Sequence, residues 1–389
     1  MAIGARIRQL RTARGYSLDE LVERMEGVVS KQALSKYEHD KAMPRPTVLV
    51  ALAKALDVKA ARLIAEPRFG FEEVVYRELA RLPKREQEAL ENRVKLELES
   101  RLQLMDRLGI EPRFPLTPTT SVKDASDAEC VADELRARWS LGSGPIPSMV
   151  DALEGQGVHL IDVETDRKFD GLAVFATNEL GERVACGAAT RAQTSRARQR
   201  MSYAHEVGHL AVEVENPVDA EPAAARFAGA FLFPGSAVRA EFGSHRTRIT
   251  TNELLIAKRR WGVSIQGVLR RLRDLEILDE AEYRWWCMRI NQVGWRATEP
   301  GDEPAEVSTW KESFAHRAAA EGLIAQEALA EYVPKTGNRT VTDGIDRRAL
   351  LKLPLEDRRS TLRAHAESVA DEYNAALDTE WLDADLSDE

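Results

Sequence analysis

The chain has 389 residues, is 43% hydrophobic and 31% charged, and carries a formal net charge of −9. This length suits two to four domains with substantial cores. No apolar run approaches the roughly 20 residues that a membrane span needs, and the N-terminus lacks the apolar core of a signal peptide. These features argue against membrane and secreted classes, so we expect a cytoplasmic protein whose three isolated cysteines are reduced thiols.

The charge is spread unevenly along the chain. Residues 1–67 contain 12 Lys or Arg and 8 Asp or Glu, a balance of +4, which leaves −13 for the rest. A basic head on an acidic body predicts that the head is the part that meets nucleic acid.

Five short helices are predicted in residues 1–67. Ile7 and Leu10 recur at helical spacing, and Ser17 with Glu20 forms a capping box at the start of the second helix. A tight turn through Gly27 leads to the third helix. This arrangement predicts a helix-turn-helix domain.

The third helix carries the candidate DNA contacts. Gln32 suits a bidentate contact to adenine, whereas the lysines can reach phosphate or guanine. The segments IRQLRTARGYSLDELVERM and SKQALSKYEHDKAMPRP resemble the XRE-type family of phage repressors. The resemblance implies a double-stranded DNA operator and a homodimer; a helical bundle that binds protein is the alternative. The polar side chains expected in the major groove are Ser30, Lys31, Gln32, Ser35 and Lys36.

Residues 68–120 are predicted to form a helical linker. Charged amphipathic helices are expected over residues 69–108, with a new helix beginning at Pro83. A Pro- and Thr-rich loop follows. Two interpretations stay open for the helices: a spacer between domains or a helical pair that forms a dimer.

Residues 121–299 predict a domain with a small sheet. Helices are expected over residues 124–139 and 146–154. Three β-branched and apolar runs follow, at residues 158–163, 172–177 and 184–189, and they are typical of strands. Two further helices are expected over residues 254–278 and 282–293.

The sequence MSYAHEVGH contains the motif HExxH. Residues four apart share one face of a helix, so His205 and His209 can present two imidazoles to one metal ion. Glu206 lies beside them, where it could take a proton from water. Ser202 is predicted as the helix N-cap. A catalytic zinc needs a third protein ligand, for which the best candidate is Glu221 at the start of a downstream apolar helix.

The wider segment resembles a known family. RQRMSYAHEVGHL followed by EPAAARFAGAFLFP is similar to the ImmA/IrrE zinc metallopeptidases. The resemblance implies Zn²⁺ bound by His205, His209 and Glu221, with Glu206 as general base. Gly208 is a poor residue for a helix interior, so we expect it to serve close packing.

Other residues keep two interpretations. Arg196, Arg198 and Arg200 form a solvated face or contact a substrate carboxylate. His159, on a predicted strand, is expected in the core rather than as a ligand. His245, in a polar loop, is a candidate for stabilising a transition state.

Residues 300–389 are predicted to form a partner-binding tail. LPLEDRRSTLRAHAESVADEYN resembles the C-terminal region of type II antitoxins, which implies that it wraps a protein toxin. Residues 371–389 contain eight acidic residues and no Lys or Arg, and apolar groups within such a segment suit folding on a basic partner. A solvated acidic tail is the alternative. The expected anchors are Leu355, Leu362, Tyr373 and Trp381.

The sequence as a whole predicts a mainly α, α+β protein: a five-helix DNA-binding domain, a helical linker, a zincin-like metallopeptidase domain and a helical tail. We interpret it as a DNA-binding regulator and type II antitoxin whose metallopeptidase domain cleaves a protein partner, either a toxin or a repressor. Two alternatives stay open: a repressor-cleaving metalloprotease without a toxin partner, and a non-catalytic zinc scaffold that binds DNA and a toxin.

Overall fold

The computed structural model describes residues 3–65, 68–74, 82–116, 121–165, 169, 171–192, 194–216 and 220–332. The chain divides into two units, residues 1–333 and 334–389, and the described residues all belong to the first. The predicted fold class is confirmed, because the structure is mostly helical with a small sheet. Among the described helices, none combines the length and apolarity that a bilayer crossing requires.

The head contains the five predicted helices. Ser17 and Glu20 form the predicted capping box at the start of the second of them. Leu21, Leu34 and Leu52 are completely buried in their shared core. The helices are α1 (Ile3–Ala13), α2 (Leu18–Arg24), α3 (Lys31–Glu38), α4 (Pro46–Ala55) and α5 (Ala60–Ile64).

A strand and a long helix follow the head. Strand β1 (Gly70–Val74) pairs antiparallel with a later strand, so the prediction of helix over these residues was wrong. The charged residues of this segment favoured an exposed helix, but the segment instead pairs with β4 as the edge strand of the sheet. Helix α6 (Lys84–Arg107) begins directly after Pro83, as predicted.

The sheet forms the centre of the described unit. Its order is β1-β4-β5-β3, with β4 antiparallel to β1 and β5, and β3 parallel to β5. The three strands predicted from the sequence are all present. The elements are β2 (Ser121–Val122), α7 (Ala128–Arg138), α8 (Met149–Glu154), β3 (Val158–Val163), β4 (Gly171–Thr177) and β5 (Arg183–Arg191).

The two faces of the sheet pack against different helices. Alternate residues point to opposite faces of a strand, so Leu172 and Val174 of β4 contact α6, whereas Ala173 and Phe175 lie in the core that contains the HExxH helix. Helix α6 therefore separates the head from the sheet, and the sheet separates α6 from the HExxH helix.

The remaining helices enclose that second core. The expected single helix over residues 254–278 is two helices, because Gly262 adopts a left-handed conformation with φ of 63° and ends the first. Trp286 is buried and anchors the last of this group, whereas Trp285 is 48% exposed. The elements are α9 (Arg196–Ala211), β6 (Glu213–Val214), α10 (Ala220–Leu232), α11 (Gly235–Phe242), α12 (Thr251–Trp261), α13 (Ile265–Asp274), α14 (Glu280–Gln292), α15 (Trp310–Ala320) and α16 (Leu329–Tyr332).

Helix α6 also binds the head directly. The guanidinium of Arg6 donates two hydrogen bonds to the Glu99 carboxylate, at 2.6 and 2.5 Å, and both side chains are 3% exposed. Leu96 completes the head's apolar core, and Arg93 donates to the carbonyl of Ala13 at 2.7 Å. One helix thus contacts both the head and the sheet.

Candidate metal centre and nucleic-acid interface

The HExxH motif lies in the C-terminal half of α9. The helix begins six residues earlier than Ser202, with Ser195 at the N-cap, so the predicted cap was wrong. Gly208 serves close packing as predicted, because a Cβ there would lie 3.0 Å from the Cα of Ala224 and from the ring of Phe227. Helices α9 and α10 therefore approach closely at the level of the motif.

This approach brings three possible ligands together. The Nε2 atoms of His205 and His209 lie 3.0 Å apart. The Nε2 of His205 lies 3.2 Å from Oε2 of Glu221, and the Nε2 of His209 lies 3.6 Å from Oε1 of the same carboxylate. The Glu221 side chain comes from the first turn of α10, where the sequence placed it. These residues form the one cluster with metal-ligand spacing in the described part of the chain.

The cluster fits a zinc ion. Two ligands about 2.05 Å from a tetrahedral ion lie about 3.3 Å apart, close to the observed separations. Burial, and then the neighbouring His205, lowers the pKa of His209 to about 2, which keeps its ring in the neutral form that binds metal. The Glu221 Oε1 atom is buried and has no hydrogen-bond donor among the described residues. Two imidazoles and a carboxylate are a known catalytic zinc set.

The carboxylate of Glu206 packs against the sheet and is not part of the ligand cluster. It is 5% exposed, and a Cβ built on Gly171 would lie 2.1 Å from its Oε1 and 2.6 Å from its Cδ. Only glycine at the start of β4 leaves room for the carboxylate in this position. Nothing local in the sequence predicts the contact of Gly171 with Glu206.

The candidate DNA contacts lie on α3 and at its N-cap. Ser30, Lys31, Gln32 and Lys36 are exposed, and Ser35 is half-buried. The Ser30 hydroxyl also caps α3 by accepting from the amide of Ala33. The Lys31 ammonium pairs with Asp19 at 2.6 Å. Four of these five side chains are therefore accessible to a DNA groove.

Other predicted residues lie apart from the metal cluster. His159 is 5% exposed and packs edge-on against Trp310, as expected for a core residue. His245 is exposed and lies 3.7 Å from Asp279. A solvated face was the wrong interpretation for Arg200, which is 4% exposed. The tail anchors Leu355, Leu362, Tyr373 and Trp381 lie outside the described residues.

Comparison with known families agrees with this division. Residues 7–63 match the helix-turn-helix family, and residues 190–273 match the IrrE N-terminal-like domain. A comparison with curated proteins gave no match. The chain therefore joins an XRE-type helix-turn-helix domain, which supports a DNA-binding regulator, to an IrrE-like domain of the zincin-like metallopeptidase type.

Proposed function

We propose that the protein is a DNA-binding transcriptional regulator with a zinc-dependent endopeptidase site that cleaves a protein partner. In this proposal residues 1–67 bind the operator as a homodimer, 68–120 link the domains, 121–299 form the metallopeptidase and 300–389 bind the partner. The observation that carries it is the convergence of His205, His209 and Glu221 beside the positioned carboxylate of Glu206.

The proposed chemistry assigns a role to each side chain. His205, His209 and Glu221 hold zinc, which would polarise the substrate carbonyl and make water more acidic. Glu206 takes the proton of the attacking water and passes it to the leaving amine. The side chains of His205 and Glu221 are 24% and 29% exposed, so a peptide can approach from that side, whereas His209 is nearly buried.

The metal assignment is tested by zinc content. The purified chain should carry about one zinc, as a catalytic site requires, and the double variant His205→Ala/His209→Ala should carry none. His245→Ala/His316→Ala is the matched control, because it also removes two histidines and both are exposed. Stoichiometric zinc in the first variant, or equal loss in both, contradicts the assignment.

Cleavage is tested with Glu206→Gln. This variant should keep its zinc and lose turnover of a candidate repressor or toxin. If wild type and Glu206→Gln leave every candidate partner intact while both bind DNA, the non-catalytic scaffold becomes the better description.

A second candidate function, type II antitoxin, is supported by the sequence of the tail. Deletion of residues 349–389 should abolish neutralisation of the cognate toxin in cells and leave promoter binding unchanged. The variant Trp381→Ala should weaken neutralisation in the same direction, because buried aromatic anchors dominate such interfaces. Full rescue of growth by the truncated chain excludes this role for the tail and favours a regulator without a toxin partner.

A further inference from the structure

A cavity of about 210 Å³ lies between the end of α6, the turn from α8 to β3 and the start of α15. None of the three proposed metal ligands lines it. Its size suits an aromatic ring with substituents, since a cavity of about 150 Å³ holds benzene. The lining residues that bear on a ligand are Met105, Ile110, Glu154, His159, Trp310 and Phe314.

The imidazole of His159 opens into this cavity. The residue is only 5% exposed, and no described residue hydrogen-bonds either ring nitrogen. Neither nitrogen is among the polar atoms that are sealed from solvent without a partner. Because His159 lines the cavity, its nitrogens are reached from there. A buried polar group without a partner is costly, so a ligand that hydrogen-bonds this ring would stabilise it.

The state and position of His159 are both fixed before a ligand arrives. Burial, and then the charge of Arg101, lowers the pKa of His159 to about 3. The ring is therefore neutral at neutral pH and offers one N–H donor and one acceptor nitrogen. It packs edge-on against Trp310, with the ring centroids 5.3 Å apart. This packing holds the ring in one orientation, which lowers the entropy cost of binding.

The carboxylate of Glu154 supplies a second open group. Its Oε1 accepts from Nη1 of Arg101 at 3.0 Å and from the hydroxyl of Ser308 at 2.6 Å. Its Oε2 has no donor among the described residues and is not sealed from solvent. The side chain is 9% exposed, and burial raises its pKa. An N–H donor from a ligand in the cavity would therefore stabilise the charged form.

The rest of the wall favours a flat apolar group. Trp310 and Phe314 stack on each other with their centroids 4.1 Å apart, and Met105 and Ile110 add aliphatic surface. The charge of Glu154 is already balanced by Arg101. A neutral aromatic ligand with a polar edge thus fits this wall better than an ion.

We propose that this cavity binds a neutral aromatic heterocycle that carries an amino group beside a ring nitrogen, as adenine does. The amino group donates to Oε2 of Glu154, and the ring nitrogen accepts from the N–H of His159. The ring packs against the aromatic wall. This site does not depend on the proposed peptidase activity.

The test is calorimetric titration of the full chain with adenine and with purine. Purine has the same fused ring without the amino group. We expect adenine to bind and purine to bind at least about tenfold more weakly, because a hydrogen bond to a charged group is lost. Equal binding of the two probes, or no heat from adenine at millimolar concentration, overturns the proposal.

The variant His159→Phe tests the histidine. It keeps a ring in the core and removes both nitrogens, so adenine should bind about tenfold more weakly while the unfolding transition stays in place. His316→Phe is the matched control, because His316 is exposed and does not line the cavity. Adenine affinity in His159→Phe equal to that of wild type or of His316→Phe overturns the proposal.

A second variant tests the location without changing a polar contact. Ile110→Trp should fill the cavity and reduce adenine binding below detection. Ile256→Trp is its control, because Ile256 is 53% exposed on α12 and does not line the cavity. If both variants bind adenine as wild type does, the ligand lies elsewhere and the proposal is wrong.

Discussion

Helix α3 carries the candidate DNA contacts and is largely exposed, whereas helix α9 carries the candidate metal site and is largely buried. Most of the candidate DNA contacts on α3 are exposed and make few contacts within the head. On α9, Glu206 and His209 are 5% and 8% exposed and are enclosed by the sheet and α10. A substitution on α3 should therefore change binding with little effect on folding, whereas one on α9 changes both unless it keeps shape and charge.

Helix α6 connects these two regions, and breaking its contact with the head should have the largest effect. Arg6→Ala leaves the carboxylate of Glu99 buried without its partner, which should cost about 3–5 kcal/mol of stability. None of the seven tryptophans lies in residues 1–67. Far-UV circular dichroism should therefore show early unfolding of the head, while tryptophan fluorescence reports a nearly unchanged transition for the rest.

Two variants check this interpretation. Arg8→Ala removes an exposed arginine from the same helix and should leave the transition in place. Arg6→Met/Glu99→Leu should recover most of the lost stability, because apolar residues of similar size can replace a buried ion pair. A shift of both spectroscopic signals together in Arg6→Ala would mean that head and sheet unfold as one unit.

The second prediction concerns the support of Glu206. Gly171→Ala should displace its carboxylate while the zinc content stays unchanged, since the three ligands lie on α9 and α10. Affinity of the cobalt-substituted protein for acetohydroxamate, measured by visible absorbance, should fall roughly 10- to 100-fold, the range seen when supporting groups at metal sites are lost. Glu206→Gln should show a similar loss.

Gly70→Ala is the matched control for this experiment. Gly70 also begins a strand of the same sheet, and a Cβ there would lie 2.5 Å from the hydroxyl of Thr177, remote in the pairing from Glu206. Hydroxamate affinity should stay at the wild-type value. If Gly70→Ala and Gly171→Ala lose affinity equally, general distortion of the sheet explains the effect and Gly171 has no specific role.

These positions also show what the sequence can and cannot predict. The capping box at Ser17 and the helix start after Pro83 were predictable because both depend on residues within one turn. The spacing of His205 and His209 placed two ligand candidates on one face for the same reason. Strand β1 and the contact of Gly171 with Glu206 were not predictable, because each joins segments far apart in the chain and depends on tertiary packing.

The third prediction tests base recognition by α3. Gln32→Ala should weaken binding to the operator by roughly 1–3 kcal/mol if the amide reads adenine bidentately, and binding to scrambled DNA should not change. Thermal stability should stay the same because the side chain is exposed. Gln292→Ala, at the exposed end of α14, controls for loss of a surface glutamine. Equal operator binding by Gln32→Ala and wild type would assign recognition to other residues.

The smallest expected effect concerns the ion pair of Lys31 and Asp19. The two side chains are 56% and 68% exposed, and such pairs contribute only about 0–1 kcal/mol to stability. Lys31→Ala should therefore leave the unfolding transition nearly unchanged.

If Lys31 exchanges Asp19 for a phosphate on binding, the dependence of log K on log salt should lose about 0.9 in slope. Asp19→Asn should act in the opposite direction and tighten binding to any DNA, because the lysine then has no competing carboxylate. Lys59→Ala removes an exposed lysine from another part of the head and serves as the control. An unchanged salt slope in Lys31→Ala, or weaker binding by Asp19→Asn, would show that Lys31 keeps Asp19 as its partner and does not contact the DNA backbone.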